Sequence, residues 1–350
     1  MKVYLIRHGE TVDNIAGLYA GVRDSALTLH GVEQARRLGQ HFAQTDHIHL
    51  THVFASPLSR ACKTAEALVK AQKDGGFVAG DGRPAGRGVE IVKVPELIEQ
   101  DFGYYEGKSF YARSEARKSG REAHHDRHKS DPGFVDVESK EAMCKRADRF
   151  LDQHFMPLFD LEGADGGLEV AIVSHGMLLS HLWRRLLLRL PRKSLTIAPE
   201  VMAARGSVVL EHLGGWSNTG YLELAMSKDS GAAKPQQLAG PIEAAHDAAI
   251  PEASALSRPT APPLIIAEEV AKGSSDVTSP AMPSAPFEAS TVRSPPPSPR
   301  TLAGWSTTIL AVDSKAHLAG LKRQRGGIGR LAHDEGQQKL DGFFKRQKKG

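Results

Sequence analysis

Cysteine is scarce in this chain: two of 350 residues, Cys62 and Cys144, neither in a Cys-x-x-Cys pair. A disulfide framework is therefore not expected, and a reducing, intracellular compartment fits. Long apolar runs are missing too. The richest stretch, 182–190, is interrupted by Arg184, Arg185 and Arg189, so no membrane span is expected. The chain opens straight into a strand-like run, so no signal peptide is expected either. A net charge of +4 is too small to imply direct nucleic-acid binding by the whole protein. Aromatic residues desert one region: residues 229–300 hold 13 of the 20 prolines and a single aromatic, Phe287. Such a segment cannot bury enough apolar surface to offset its ordering entropy. The expected organisation is one folded domain over 1–228, a disordered Pro/Ala/Ser-rich linker over 229–320, and a basic tail over 321–350. Within the linker, Leu264-Ile265-Ile266 is the single apolar cluster, a short docking patch at most. Ser279-Pro280, Ser294-Pro295 and Ser298-Pro299 read as ordinary linker composition rather than proline-directed phosphorylation sites.

What is present alternates. Residues 2–6, 52–55, 90–94 and 169–173 read as short apolar strands, with 207–213 and 219–225 as late ones. Between them, 29–44, 58–72 and 139–155 carry helical spacing of apolar residues, and Ser56-Pro57 suits an N-cap with Pro in the first turn. Strand alternating with helix implies an α/β sheet covered on both faces. At the end of the first strand stands Arg7-His8-Gly9-Glu10-Thr11. A strand ending this way delivers a guanidinium and an imidazole to the carboxyl edge of the sheet, where open α/β folds hold ligands. His8, Arg60 and His175 each fall at or just beyond such a strand end.

Five ordered segments carry a resemblance. After Arg7-His8-Gly9-Glu10-Thr11 comes Asn14, and Leu27-Thr28 with Gly31 and Gln34-Ala35 is similar to an "LT..G..QA" pattern. Ala55-Ser56-Pro57-Leu58-Ser59-Arg60-Ala61 with Thr64-Ala65 is similar to "SSPLxRAxxTA". Glu99 to Gly103, with Glu106-Gly107, is similar to "ExxxGxxEG", and Val173-Ser174-His175-Gly176 to "VSHG". Together they resemble the histidine phosphatase superfamily, the phosphoglycerate-mutase-like proteins, over about residues 1–225. The resemblance implies a three-layer α/β/α domain followed by a long disordered tail. It also implies metal-independent phosphoryl transfer, with no cofactor.

The residue types suit that chemistry. His8 supplies an unprotonated imidazole nucleophile near neutral pH. Arg7 and Arg60 are expected to clamp phosphoryl oxygens by paired hydrogen bonds, and His175 to donate one more. Asn14 is a further substrate-binding candidate. Glu99 matches the family's acid, which protonates the leaving group and then activates water. Taken singly, Arg60 reads as a surface charge, Glu99 as a solvated acid and His175 as a core histidine; co-ordered, they read as a site. Between branches, Glu99 to Gly107 and Val137-Glu138-Ser139 with Arg146 resemble the phosphatases, not mutases with their "ERHYG" variant. A phosphoglycerate-type mutase or a sugar-bisphosphatase is the alternative.

Other signals are weaker. Arg113, Arg117, Lys118 and Arg121 read as a solvated helix face or as a grip for a second substrate phosphate. His124, His125 and His128 sit among charges that argue against zinc. Gly75 to Gly88 reads as a flexible surface insertion. The tail holds nine Lys/Arg against three Asp/Glu over residues 321–350, a local balance of +6. Within it, Gln337, Leu340, Phe343 and Phe344 resemble the PIP box that binds the sliding clamp PCNA. In a 3₁₀ turn residues three apart eclipse, so Leu340, Phe343 and Phe344 would form one apolar plug with Gln337 at its edge. Lys345-Arg346-Gln347-Lys348-Lys349, with Lys322-Arg323-Gln324-Arg325, read as a nuclear import signal or as contacts to an acidic clamp. The expected location is nucleus or cytoplasm. A nuclear clamp-binding adaptor on a residual phosphatase fold is the reading from a different class.

Overall fold

Alternate residues of the first strand, β1 (Lys2–Arg7), enter two different cores. Val3 and Leu5 pack with one cluster and Tyr4 and Ile6 with the other, because successive strand side chains point to opposite sheet faces. The computed structural model describes residues 1–45, 48–74, 89–110, 128–161, 167–191, 193–229, 300–323 and 331–333. The chain divides into two units, 1–232 with 300–350, and 233–299; every described residue belongs to the first.

Helices α1 (Val12–Ala16) and α2 (Leu29–Gln44) follow, then β2 (His52–Ala55), α3 (Ser59–Asp74) and β3 (Ile91–Lys93). Next come α4 (Lys140–Phe150), which runs on into a π turn over Leu151–Phe155, β4 (Glu169–Ser174) and α5 (Gly176–Leu187). The order closes with β5 (Leu195–Ile197), α6 (Pro199–Arg205), β6 (Tyr221–Lys228) and β7 (Trp305–Ser314). The seven strands lie in the order β3-β2-β4-β1-β6-β7-β5. β1 runs parallel to β4 and antiparallel to β6, so Arg7, Ala55 and Ser174 finish at one edge. Leu38 and Phe42 of α2 and Ala61, Ala65 and Leu68 of α3 cover one face. Met143 and Phe150 of α4 and Leu178, Leu182 and Trp183 of α5 cover the other.

Several motif residues are caps and braces. Thr28 is the N-cap of α2, its hydroxyl oxygen accepting from Gly31 N–H at 2.9 Å and its O–H donating to Glu10 at 2.9 Å. A side chain at Gly31 would strike the Glu10 carbonyl, 2.0 Å from the Cβ position. Ser139 caps α4, and Glu138 pairs with Arg146 at 2.7 Å. Arg146 in turn donates to the carbonyls of Glu96, Ile98 and Glu99. The apolar stretch near 182–190 is the second half of α5 and the turn after it, where Arg189 is held by Asp148 at 2.9 Å and Asp152 at 2.7 Å.

Two expectations are corrected. Residues 207–213 form no strand, only an isolated bridge between Val209 and His212. The linker expected over 229–320 is wrong at its end, because β7 sits inside the sheet between β6 and β5. Trp305, Thr307 and Ile309 alternate inward there, and Arg300 pairs with Asp160 at 2.6 Å. Beyond β7 the chain runs along α2. Ala319 O accepts from Arg37, Arg323 pairs with Glu10, and Ala332 bridges Thr28. Ahead of α3, Ser56 Oγ accepts the Leu58 N–H at 3.4 Å and the Asp24 carboxylate accepts the Ser59 N–H at 3.0 Å. The segments 75–88, 113–121, 230–299 and 337–344, with His124 and His125, lie outside the described residues. His128 stacks on Tyr104 at 5.1 Å and bonds Asp131 at 2.8 Å. If β7 belongs to the core, Ile309→Ala should destabilise the chain by about 2–5 kcal/mol in urea unfolding. A cost near zero would mean that the strand is not part of the folded core.

Candidate active site

His8 leaves the end of β1 with its ring almost fully buried at 4% exposure. Its Nδ1 lies 2.7 Å from Gly9 O, and a carbonyl only accepts, so the proton is on Nδ1 and the Nε2 lone pair is free. Burial first, then the Arg60 and Arg7 charges, hold this imidazole well below its ordinary value. The ring of His175, at the end of β4, stands 5.0 Å away. Its Nδ1 accepts from Arg60 Nε at 3.2 Å, so its own proton sits on Nε2, which donates to Ser56 Oγ at 2.8 Å. The two histidines are thus neutral in opposite tautomers. Burial, Arg60, His8 and Arg7 also hold His175 well below the usual imidazole range.

The two arginines differ. Arg7 Nη1 donates to Trp216 O at 2.6 Å, while its buried Nε has no hydrogen-bond partner. A Cβ on Gly176, the first residue of α5, would sit 3.8 Å from that Nε. The Arg7 fork therefore faces the N-terminus of α5, where Glu99 takes the Met177 and Leu178 N–H groups. Arg60 is 1% exposed, and its donors are largely taken by the chain. Nη1 reaches Arg23 O at 2.8 Å, and Nη2 reaches Ala20 O at 3.1 Å and Gly21 O at 2.7 Å. The paired grip expected of both arginines is thus open at Arg7, whereas Arg60 braces His175 and the 20–23 loop. That loop is also held by Glu106, whose carboxylate accepts from the N–H groups of Gly21, Val22 and Arg23.

Glu99 reaches the site through α5. Its Oε1 accepts from Gln100 N–H at 2.9 Å and Leu178 N–H at 3.0 Å, and Oε2 from Met177 N–H at 3.1 Å. A carboxylate at a helix N-terminus is favoured by the helix dipole, and Oε2 keeps acceptor capacity for water or a proton. Asn14 caps α1 with Thr11, and its Oδ1 also accepts from Asn218 Nδ2 at 3.1 Å.

Sequence reading missed the wall formed by Trp216 to Gly220. Asn218 Nδ2 also donates to His8 O at 3.1 Å, and Thr219 N–H reaches Arg7 O at 3.1 Å and His8 O at 3.2 Å. Arg7 N–H returns a bond to Gly220 O at 3.1 Å. Thr219 adopts φ +57°, a left-handed conformation uncommon outside glycine. Backbone partners have no residue signature; the one hint was Asn218 just before a predicted strand. Among the described residues, no group of three or more His, Cys, Asp or Glu is placed to hold a metal ion. The chain thus brings His8, His175, Arg7, Arg60 and Glu99 to one sheet edge, with a free imidazole lone pair beside an unfilled guanidinium.

The chain is similar to a probable phosphatase of Schizosaccharomyces pombe, 32% identical over 186 residues, or 53% of this chain and 56% of that protein. It therefore spans little more than half the length of that relative. It is similar to a probable phosphoglycerate mutase, GpmB, of Erwinia tasmaniensis, 32% identical over 189 residues, 52% of this chain and 73% of that one. The adenosylcobalamin/alpha-ribazole phosphatase of Salmonella typhimurium is 31% identical over 205 residues, 53% of this chain and 80% of that one. The family model described as the histidine phosphatase superfamily (branch 1) matches residues 3–212, and the chain belongs to that superfamily.

Proposed function

We propose that the chain is a phosphomonoesterase working through a phosphohistidine on His8, without a metal ion. The observation that carries this reading is the His8 tautomer, fixed by the 2.7 Å bond from Nδ1 to Gly9 O. It leaves the Nε2 lone pair as the nucleophile. In the first step Nε2 attacks phosphorus, the ester P–O bond breaks, and Glu99, which takes up a proton as the ester dianion binds, gives it to the departing oxygen. In the second, water attacks phosphorus while Glu99 takes its proton, the P–N bond breaks and phosphate leaves. Arg7, beside the N-terminus of α5, stabilises the equatorial oxygens. Arg60 holds His175 in its tautomer, and the His175 Nε2 proton passes from Ser56 to the phosphoryl group. Asn14 offers its amide donors to the substrate.

Hydrolysis is favoured over mutase chemistry by the Glu99 to Gly107 text, which resembles the phosphatase branch. The substrate class is a phosphomonoester, on a small molecule or a protein. The wild-type chain should hydrolyse a generic aryl phosphate and His8→Ala should lose at least about a thousand-fold in kcat/KM. Because the His8 pKa is lowered, the reactive neutral form persists below pH 6.5. After correction for the ester's own ionisation, kcat/KM should therefore not fall as pH drops through 6.5. A wild type inactive from mildly acidic to neutral pH would remove the reading.

The tail is the basis for a second element, recruitment to PCNA in the nucleus. The supporting observation is the paired Phe343-Phe344 in a polar, basic tail, three residues beyond Leu340. A 331–350 peptide should bind purified clamp, and Phe343→Ala/Phe344→Ala should abolish that binding. Equal binding by the doubly substituted peptide would end the clamp proposal.

A further inference from the structure

The carboxyl end of β7 meets the site wall at one residue. Asp313 accepts the Ser217 N–H at 2.8 Å on one oxygen and the Ser217 hydroxyl at 2.8 Å on the other. A Cβ on Gly220 would lie 2.2 Å from Asp313 Oδ1, so the carboxylate occupies space that only glycine leaves open. Asp313 itself adopts φ +48°, which Asp and Asn tolerate better than other side chains. Lys315 Nζ stands 3.5 Å away on the solvent side. Three further bonds reinforce the junction. Arg205 of α6 donates to Leu213 O at 2.9 Å and Val312 O at 3.0 Å, and Thr219 Oγ1 lies 2.9 Å from His317 Nε2. The clamped segment is the one whose Trp216 carbonyl takes the Arg7 guanidinium at 2.6 Å.

We infer that Asp313 is a positioning residue for Arg7, aiming its fork at the phosphoryl group through the Trp216–Gly220 segment. The inference rests on the phosphoryl-transfer reading of the site. Arg7 has one guanidinium bond to protein and a buried Nε without a partner, so its aim depends on where Trp216 O stands. Trp216 is tied on its other side by Nε1 to Ser180 Oγ at 3.0 Å, and Asp313 holds the following residue by its backbone N–H and its hydroxyl together. The Asp313 charge also lies close enough to support the buried Arg7 cation, alongside Glu99.

The test measures binding of inorganic phosphate to the full chain by calorimetry. Asp313→Ala, Asp313→Asn and Ser217→Ala are each compared in the wild-type and Arg7→Ala backgrounds, with thermal unfolding in parallel. Where Arg7→Ala binds too weakly to titrate, kcat/KM for an aryl phosphate replaces affinity. Asp313→Ala should weaken phosphate about ten-fold and raise KM more than it lowers kcat. Asp313→Asn should recover most of that loss, since Asn tolerates the same φ and still accepts from Ser217 N–H. In the Arg7→Ala background each effect should vanish, because the pair acts as a unit. If Asp313→Ala does not fold, Ser217→Ala carries the test with a loss of about three-fold. Equal losses in both backgrounds, or none in the first, would overturn the inference while leaving the site reading intact. A wild type that binds no phosphate would overturn both.

Discussion

One backbone contact carries the rest of the site: Thr219 N–H lies within reach of the carbonyls of both Arg7 and His8. On the β4 side Ser174 O still takes the His8 N–H at 3.0 Å, and the two carbonyls find their donors in the Trp216–Gly220 segment. Thr219 meets both at the expense of a left-handed backbone, φ +57°. Such a residue persists only where its surroundings over-determine it. Here they do, through Asn218 on His8 O, Gly220 O on Arg7 N–H and Asp313 on Ser217. The arrangement makes β6 and β7, remote in sequence from Arg7 and His8, the frame of the catalytic strand end.

The electrostatics follow from burial. Two arginines and two histidines share a space with little water, where a charged imidazole beside a guanidinium is strongly disfavoured. Both histidines are therefore driven neutral, and the hydrogen bonds then decide which nitrogen keeps the proton. Gly9 O draws it to Nδ1 of His8, and Arg60 Nε drives it to Nε2 of His175. A neutral pair in opposite tautomers offers one lone pair and one donor across a 5.0 Å ring separation. Glu99 supplies opposing charge to both Arg7 and Arg60 while tied to the first turn of α5.

Much of this was legible from residue order because it is local. Arg7-His8-Gly9 after an apolar run, Thr28 three residues before Gly31, and Ser139 before α4 are strand-end and cap chemistry, with fixed spacings. Glu138 lies just before α4 and Arg146 two turns into it. What stayed illegible depends on partners without a side-chain signature. The donors of Arg60 go to the carbonyls of Ala20, Gly21 and Arg23, which any residue carries. β7 escaped because three of its first four residues, Trp305-Ser306-Thr307-Thr308, are polar and its partner β6 lies across a long proline-rich segment. Composition identified that segment as unlike a core, but could not mark where the core resumes.

The central claim, that the His8 Nε2 lone pair is the nucleophile, is tested most directly by trapping the intermediate. The full chain is mixed with an aryl phosphate, quenched in alkali, and its peptides are mapped by mass spectrometry. The account predicts one phosphate on the peptide that carries His8, stable in alkali and lost in acid, and none on that peptide in His8→Ala. A phosphate on any other residue, or turnover with His8 never modified, would contradict it.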